Sequence, residues 1–231
     1  MALTDNLQAF YKLSDTSDSS GNNRTLTNNG NVSFAPGKIG DAAVFDGNWL
    51  STEETLDFSG GFSVGCWVNI SSSDSLRPAV SQWQGGLGAF YIGTANEQYV
   101  FATCHDENVF NPTWLYGGPA ALNEWVYMVG TYDGTTEKIY VNNVLIASQS
   151  TSQLVNPSVG QFKIGTFDGG GEFAFNGSVD AVGIWNRALS DAEVAALYNN
   201  GNGLELDGVP QPTLVKLQAP VKFMGKVKFG V

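Results

Sequence analysis

A chain of 231 residues with 42% apolar and only 14% charged side chains carries enough apolar material for one packed domain and has little of the composition of a disordered polymer. Its formal net charge of −11, from 22 acidic against 11 basic side chains, argues against a nucleic-acid partner, because such a chain repels phosphate backbones. No run approaches the roughly 18–20 apolar residues of a membrane helix, no solenoid or propeller period is present, and residues 1–5 lack the basic and apolar regions of a signal peptide.

Segments with strand character, bounded by Gly, Asn, Asp or Pro, recur along the chain at 7–13, 43–45, 62–70, 89–93, 98–103, 124–132, 137–141, 144–147, 161–165 and 178–185. The 28 glycines suit the many turns such a pattern needs. Between Trp125 and Tyr132 both sheet faces are largely apolar, which predicts a central strand covered on each side. Asn142 and Asn143 form a two-residue hairpin turn, because Asn tolerates positive φ. A capping box, Ser190 to Glu193, opens one short helix that Asn199-Asn200-Gly201 stops. Ten or more strands and one late helix predict an all-β sandwich with a small helical appendage. Cys66 lies in the apolar run 62–70 and reads as a buried free thiol, with a Cys66–Cys104 bridge as the alternative. Two cysteines supply neither a zinc site nor a disulfide framework.

The pattern changes after Gly203. Val209-Pro210-Gln211-Pro212 is a stiff linker, and beyond it Val215, Leu217, Ala219, Val221, Phe223, Val227 and Phe229 alternate with polar or basic residues. Residues 211–231 hold Lys216, Lys222, Lys226 and Lys228 and no acid, so they carry +4 and leave −15 on the first 210 residues. Two parts are therefore expected, a sandwich over 1–203 and a linker with a basic amphipathic tail over 204–231. The alternation suggests an extended, β-like segment that adds to another sheet, anchoring through Lys216, Lys222, Phe223, Lys226, Lys228 and Phe229. An oligomer or larger assembly would follow; a basic, partly disordered end is the alternative.

Several segments in order resemble the laminin-G-like branch of the concanavalin-A-like lectin/glucanase superfamily, over roughly residues 5–200. They are Asp18-Ser19-Ser20-Gly21-Asn22, Gly40-Asp41-Ala42-Ala43-Val44-Phe45-Asp46-Gly47 and Phe62-Ser63-Val64-Gly65-Cys66-Trp67-Val68. Further along come the run from Trp125 through Gly134 into Ile139–Asn143, and the run from Phe175 through Ser190 with Glu193 and Leu197-Tyr198. The resemblance implies an antiparallel jelly-roll sandwich of two curved sheets. It also implies glycan binding or protein contacts as the usual activity, β-glucan hydrolysis in a related branch, and often a structural calcium. Carried over to this chain, the calcium ligands would be Asp18 and Asp180, with Asn23 or a nearby carbonyl completing the shell. The alternative for Asp18 is a turn-former bonded to its own backbone. A buried Asp180 requires either a cation or hydrogen-bond donors.

The hydrolytic branch needs two carboxylates on one strand face, in the pattern Glu-x-Asp-x-x-Glu, and no such run is present. Glu53-Glu54 and Asp106-Glu107 are adjacent pairs whose side chains would point to opposite faces of a strand. His105 is the only histidine, and no nucleophile elbow occurs. A non-catalytic module is therefore expected. Trp83, Trp114 and Tyr116 sit among polar and turn-forming residues, which suggests loop-exposed rings for sugar stacking, with ordinary packing as the alternative. Trp67, Trp125 and Trp185 belong to apolar runs and are expected in the core. The function expected is a carbohydrate-binding or adhesion module on a bacteriophage virion surface, a capsid decoration or fibre protein held by its tail. A purely structural protein-interaction domain is the alternative, and a glycosidase a remote one.

Overall fold

The computed structural model describes residues 1–54, 56, 60–84, 87–104, 112–151 and 160–207. In chain order its strands are β1 (Leu7–Tyr11), β2 (Thr27–Asn29), β3 (Ser33–Pro36), β4 (Asp41–Asp46) and β5 (Trp49–Ser51). There follow β6 (Phe62–Ile70), β7 (Arg77–Gln84), β8 (Leu87–Ala95), β9 (Gln98–Cys104) and β10 (Pro112–Pro119). The last are β11 (Trp125–Tyr132), β12 (Thr136–Val141), β13 (Val144–Ser150), β14 (Phe162–Ile164) and β15 (Asn176–Trp185), before the helix α1 (Asp191–Tyr198). They form two antiparallel sheets, as in a jelly-roll sandwich. The eight-stranded sheet runs β13-β12-β11-β6-β15-β4-β3 with β1 also on β15, and the seven-stranded sheet runs β10-β9-β8-β7-β14-β5-β2. Among the described residues, no helix is long and apolar enough to cross a membrane.

Strand alternation assigns each side chain to a layer. On β6, Val64, Cys66, Val68 and Ile70 enter the core between the sheets, while Trp67 faces outward. On β11, Val126, Met128 and Tyr132 point in, and Tyr127 and Val129 point out. The central position expected for β11 is therefore observed, and β6 and β11 are buried on both faces of the eight-stranded sheet. Its outer face is covered by Leu189 just ahead of α1, by Val194 and Leu197 of the helix, and by Leu206 from the chain beyond it. Gly130 exists for the inner face: a Cβ there would lie 2.3 Å from the Phe101 ring of the opposite sheet.

Local signals behave as the sequence predicts. Asn142 and Asn143 take φ of 49° and 66°, so the β12–β13 hairpin has two left-handed residues at its turn. Asn142 Oδ1 also accepts the Tyr127 N–H at 2.9 Å, tying the turn to β11. The capping box of α1 forms, with Glu193 accepting the Ser190 N–H at 2.9 Å. The same carboxylate takes both Arg187 terminal nitrogens, at 2.7 and 3.0 Å, and Arg187 Nε donates to Asp5 O. That clasp holds Glu193 down to about 2. Cys66 is a buried free thiol, its ionisation pushed up to about 12 by desolvation. Cys104 faces the outer side of its own sheet, so the Cys66–Cys104 bridge does not form. Trp67 and Trp185 are buried, whereas Trp125 is only partly so, because it starts its strand.

The chain stays packed on the sandwich past Gly203. Leu206 is buried, and Lys12 pairs with Glu205 at 3.3 Å and Asp207 at 2.9 Å. Residues 208–231, including Lys216, Lys222, Phe223, Lys226, Lys228 and Phe229, lie outside the described residues. A chain ending after Gly203 is expected to melt roughly 3–12 °C below one ending after Asp207. The shift follows from losing a buried leucine worth ~1.5–3 kcal/mol, at ~2–4 °C per kcal/mol. Differential scanning calorimetry of the two chains checks it.

Candidate functional site

The outer face of the seven-stranded sheet is organised by its register. One cross-strand row runs Thr27, Ser51, Lys163, Ser81, Tyr91, Ala102 and Trp114, each opposite the next. Tyr116 lies two residues along β10 from Trp114, opposite Val100, and so shares this face. Trp83, Tyr91, Val100, Ala102 and Cys104 are its buried members, with Leu76, Trp114 and Phe167 packed against them.

This arrangement corrects the loop placement expected for the tryptophans. Trp83 belongs to β7 and is 5% exposed; Trp114 and Tyr116 belong to β10. The polar residues that made residues 81–84 look like a loop are internally satisfied. The buried Gln82 amide donates to Leu56 O and accepts the Leu56 N–H, and the Ser81 hydroxyl donates to Thr166 O. Trp83 meets Phe167 at 6.3 Å between ring centroids, Phe167 stacks on Phe173 at 5.1 Å, and Tyr91 stands edge-on to Trp114 at 5.9 Å. A small apolar cavity of about 40 Å³ lies among Leu76, Trp83, Tyr91, Trp114 and Phe167. Tyr116 is 39% exposed beside it. Under the cluster, Lys163 Nζ donates to Phe167 O at 3.0 Å; desolvation lowers its pKa, opposed by Asp168.

The proposed metal ligands serve two separate turns. Both Asp18 oxygens are saturated: Oδ1 accepts the Phe10 and Ser20 N–H groups, Oδ2 the Ser20 hydroxyl and the Arg24 N–H. Nearby carbonyls of Leu7 and Gln8 are taken by Asn22 Nδ2, and Asn23 occupies a left-handed turn position. Asp180 is buried opposite Trp67, where its Oδ2 accepts the Lys38 and Ile39 N–H groups at 2.8 Å each. Its Oδ1 has no hydrogen-bond partner among the described residues. The Lys38 ammonium lies over the ring of Trp67, the cross-strand neighbour of Asp180, at 4.5 Å, and the Glu205 carboxylate acts on Asp180 through its charge. Calcium takes six to eight oxygens; the hydrogen bonds described for Asp18 and Asp180 are those that hold their two turns. Among the described residues no three His, Cys, Asp or Glu side chains converge. His105, Asp106 and Glu107 lie outside them, and Glu54 is paired with Arg24 at 2.7 Å.

Sequence reasoning missed a larger concavity. At one rim of the sandwich a cleft of about 420 Å³ is lined by Ser71, Ser72, Ser73, Asp74, Glu97, Pro119, Ala120 and Leu122. The one local signal was the Ser-Ser-Ser-Asp run directly after an apolar strand.

With this geometry established, the family is plain. The chain belongs to the concanavalin A-like lectin/glucanases superfamily, whose Laminin_G_3 model matches residues 46–195. The matched superfamily spans lectins and glucanases, and the Glu-x-Asp-x-x-Glu run of the hydrolytic branch is absent from the sequence. One similar solved structure is domain 4 of AbnA, a GH43 extracellular arabinanase from Geobacillus stearothermophilus, in complex with arabinotriose. It is 22% identical with TM-score 0.66, and the match covers 86% of this chain and 98% of that one. The binding domain of Paraclostridial Mosquitocidal Protein 1 is 17% identical with TM-score 0.69, over 87% of this chain and 53% of that one. The receptor binding domain of botulinum neurotoxin type G is 16% identical with TM-score 0.66, over 84% and 51% respectively. The chain thus spans about half the length of the two toxin domains, and at these identities the likeness is one of fold. No curated protein sequence matches the chain.

Burial pushes the Asp180 carboxyl up to about 6, against the lowering effect of its N–H donors, with Glu205 adding to the rise. The folded chain then binds a proton that the unfolded chain, near 3.9, has released. Asp180 therefore contributes stability below about pH 4 that is lost as pH rises through about 6. Asp180→Asn keeps an oxygen for the two N–H groups and removes the titration. Its melting temperature is expected to show a flatter decline across that window than wild type, measured by thermal melts from pH 3.5 to 7.5 in ~0.5-unit steps.

Proposed function

We propose that this chain is a carbohydrate-binding adhesion module that takes glycan on the outer face of the seven-stranded sheet, at Trp114 and Tyr116. The observation that carries the reading is their placement two residues apart on one face of β10, the sheet's outermost strand, with Tyr116 exposed. Trp114 is braced edge-on by Tyr91, so its ring is held before any ligand arrives. An aromatic face with polar neighbours is the usual ground for an amphipathic ligand such as a sugar ring. The arabinotriose bound by the similar arabinanase domain supports the same chemistry.

Display on a particle is part of the proposal: a bacteriophage virion surface, as capsid decoration or fibre, with residues 208–231 as the tether. The support is the charge split, −15 on the first 210 residues against +4 on the last 21. A basic alternating segment suits docking on an acidic protein surface, where an acidic body would be repelled. An extracellular setting also accords with the fold and with the toxin domains that share it. A second reading, a structural protein-contact domain without sugar, is favoured by the burial of Trp83 and the small size of the aromatic cavity.

The full chain on a glycan array, followed by titration calorimetry on the strongest hit, tests the first reading. Trp114→Ala and Tyr116→Ala are each expected to weaken binding roughly 3–10-fold, from the ~0.5–1.5 kcal/mol of a ring contact. An array without hits would sink the glycan reading and leave the structural one.

A further inference from the structure

We propose that the rim cleft is a second saccharide site, built for a neutral ring that presents adjacent hydroxyls. This rests on the carbohydrate-binding reading and adds a location and a ligand class to it.

Three loops far apart in sequence form the cleft, and bonds of their main chain fix them, one of these to a side chain outside the cleft. The Glu97 N–H donates to Ser73 O at 2.9 Å, the Ala120 N–H to Glu97 O at 2.8 Å, and the Asn123 N–H to Ile70 O at 2.8 Å. Ser71 N–H donates to Asn176 O, and Ala121 N–H to the Tyr99 hydroxyl. Ile70 and Leu122 add a parallel bridge. A frame held by main-chain bonds leaves its side chains available to a ligand.

The side chains differ in what they have left to offer. Asp74 is spent: it accepts the Ser72 hydroxyl at 2.7 Å and pairs with Arg77 at 3.1 Å, which together hold its pKa below the usual range. Glu97, by contrast, makes no side-chain hydrogen bond or ion pair among the described residues, although it is exposed at the cleft. Its backbone is also costly. Asn96 and Glu97 form the β8–β9 turn with φ of 51° and 62°, and Glu is an unfavourable residue in the left-handed region, where Gly or Asn is usual. Strain retained at one exposed carboxylate in a cleft points to a use for that carboxylate.

The chemistry selects the ligand. Two carboxylate oxygens accept a pair of neighbouring hydroxyls, the Ser71 and Ser73 hydroxyls both donate and accept, and the exposed Leu122 with Pro119 and Ala120 offers an apolar patch for the C–H face of a ring. With Asp74 neutralised by Arg77, Glu97 leaves the cleft negative, so sialylated or sulfated sugars are repelled. The volume of about 420 Å³ lies within the ~300–1,000 Å³ of ligand sites. The cleft is continuous with β10: only three residues lie between Tyr116 and Ala120.

The test uses the full chain against immobilised neutral arabino-, gluco- and galacto-oligosaccharides and against sialylated galacto-oligosaccharides. Glu97→Gln, Glu97→Gly and the double variant Trp114→Ala/Tyr116→Ala are compared with wild type. On the best neutral probe, both Glu97 variants are expected to lose at least tenfold in affinity. Glu97→Gly should melt no lower than wild type, because glycine accepts the left-handed turn. Unchanged binding in both Glu97 variants, with loss only in the aromatic double variant, would overturn the cleft and leave the glycan reading standing. Tighter binding of the sialylated than of the neutral probes would overturn the ligand class and with it the proposal. A wild type that binds none of the probes defeats the carbohydrate reading itself, and the cleft falls with it.

Discussion

Much of this molecule follows from one constraint: the eight-stranded sheet has apolar residues on both faces and must be covered twice. The inner face is met by the second sheet, with Phe62 in ring contact with Phe90 and Phe101 across the gap. The outer face, carrying Trp67, Tyr127 and Trp185, needs a cover the second sheet cannot supply. The chain ends provide it. The first residues cross the face so that Leu3 O accepts the Trp185 indole N–H at 2.7 Å, and α1 with residues 203–207 closes the rest. Arg187 sits where these pieces meet, bonded to Ala2 O, Asp5 O and Glu193. The α-helix lies on the eight-stranded sheet, and the aromatic cluster forms on the outer face of the seven-stranded one.

The buried Asp180 belongs to the same cover. It lies on β15 at the register shift beside Ala181, which takes φ of 48°. At that irregularity its carboxylate reaches the 37–40 turn and fixes it with two N–H bonds. A charge with only part of its bonding satisfied is held at a cost in stability. What it secures is a turn also held by the Gly37 N–H to Gly40 O bond and by Ile39 packing on the outer face, with Gly37 too close to the carboxylate for any side chain.

How much of this was written in the sequence depends on distance along the chain. The near-continuous apolar runs of β6 and β11, the Asn142-Asn143 turn and the Ser190–Glu193 box are local patterns, and each reads directly. Trp83 did not, because Ser81 and Gln82 look like loop residues until Thr166 and Leu56 arrive to bond them. The donors demanded by Asp180 come from residues 141 and 142 positions away. The rim cleft was hidden for the same reason. Ser73, Glu97 and Leu122 say nothing individually, and only sheet topology brings them together. Fold class is encoded in repetition along the chain; a binding site is encoded in coincidence between segments.

The packing of residues 203–207 has a mechanical meaning. Tension applied beyond Asp207 is met first by Lys12 and the buried Leu206, both outside the sheet's hydrogen-bond ladder. It then passes through α1 into β15, which is paired with β6 and also with β1 and β4. The segment after Gly203 would therefore yield early and lengthen under load, acting as a shock absorber. The strand behind it is hydrogen-bonded to neighbours on both sides. A body pulled from this end would give slightly at first and then hold.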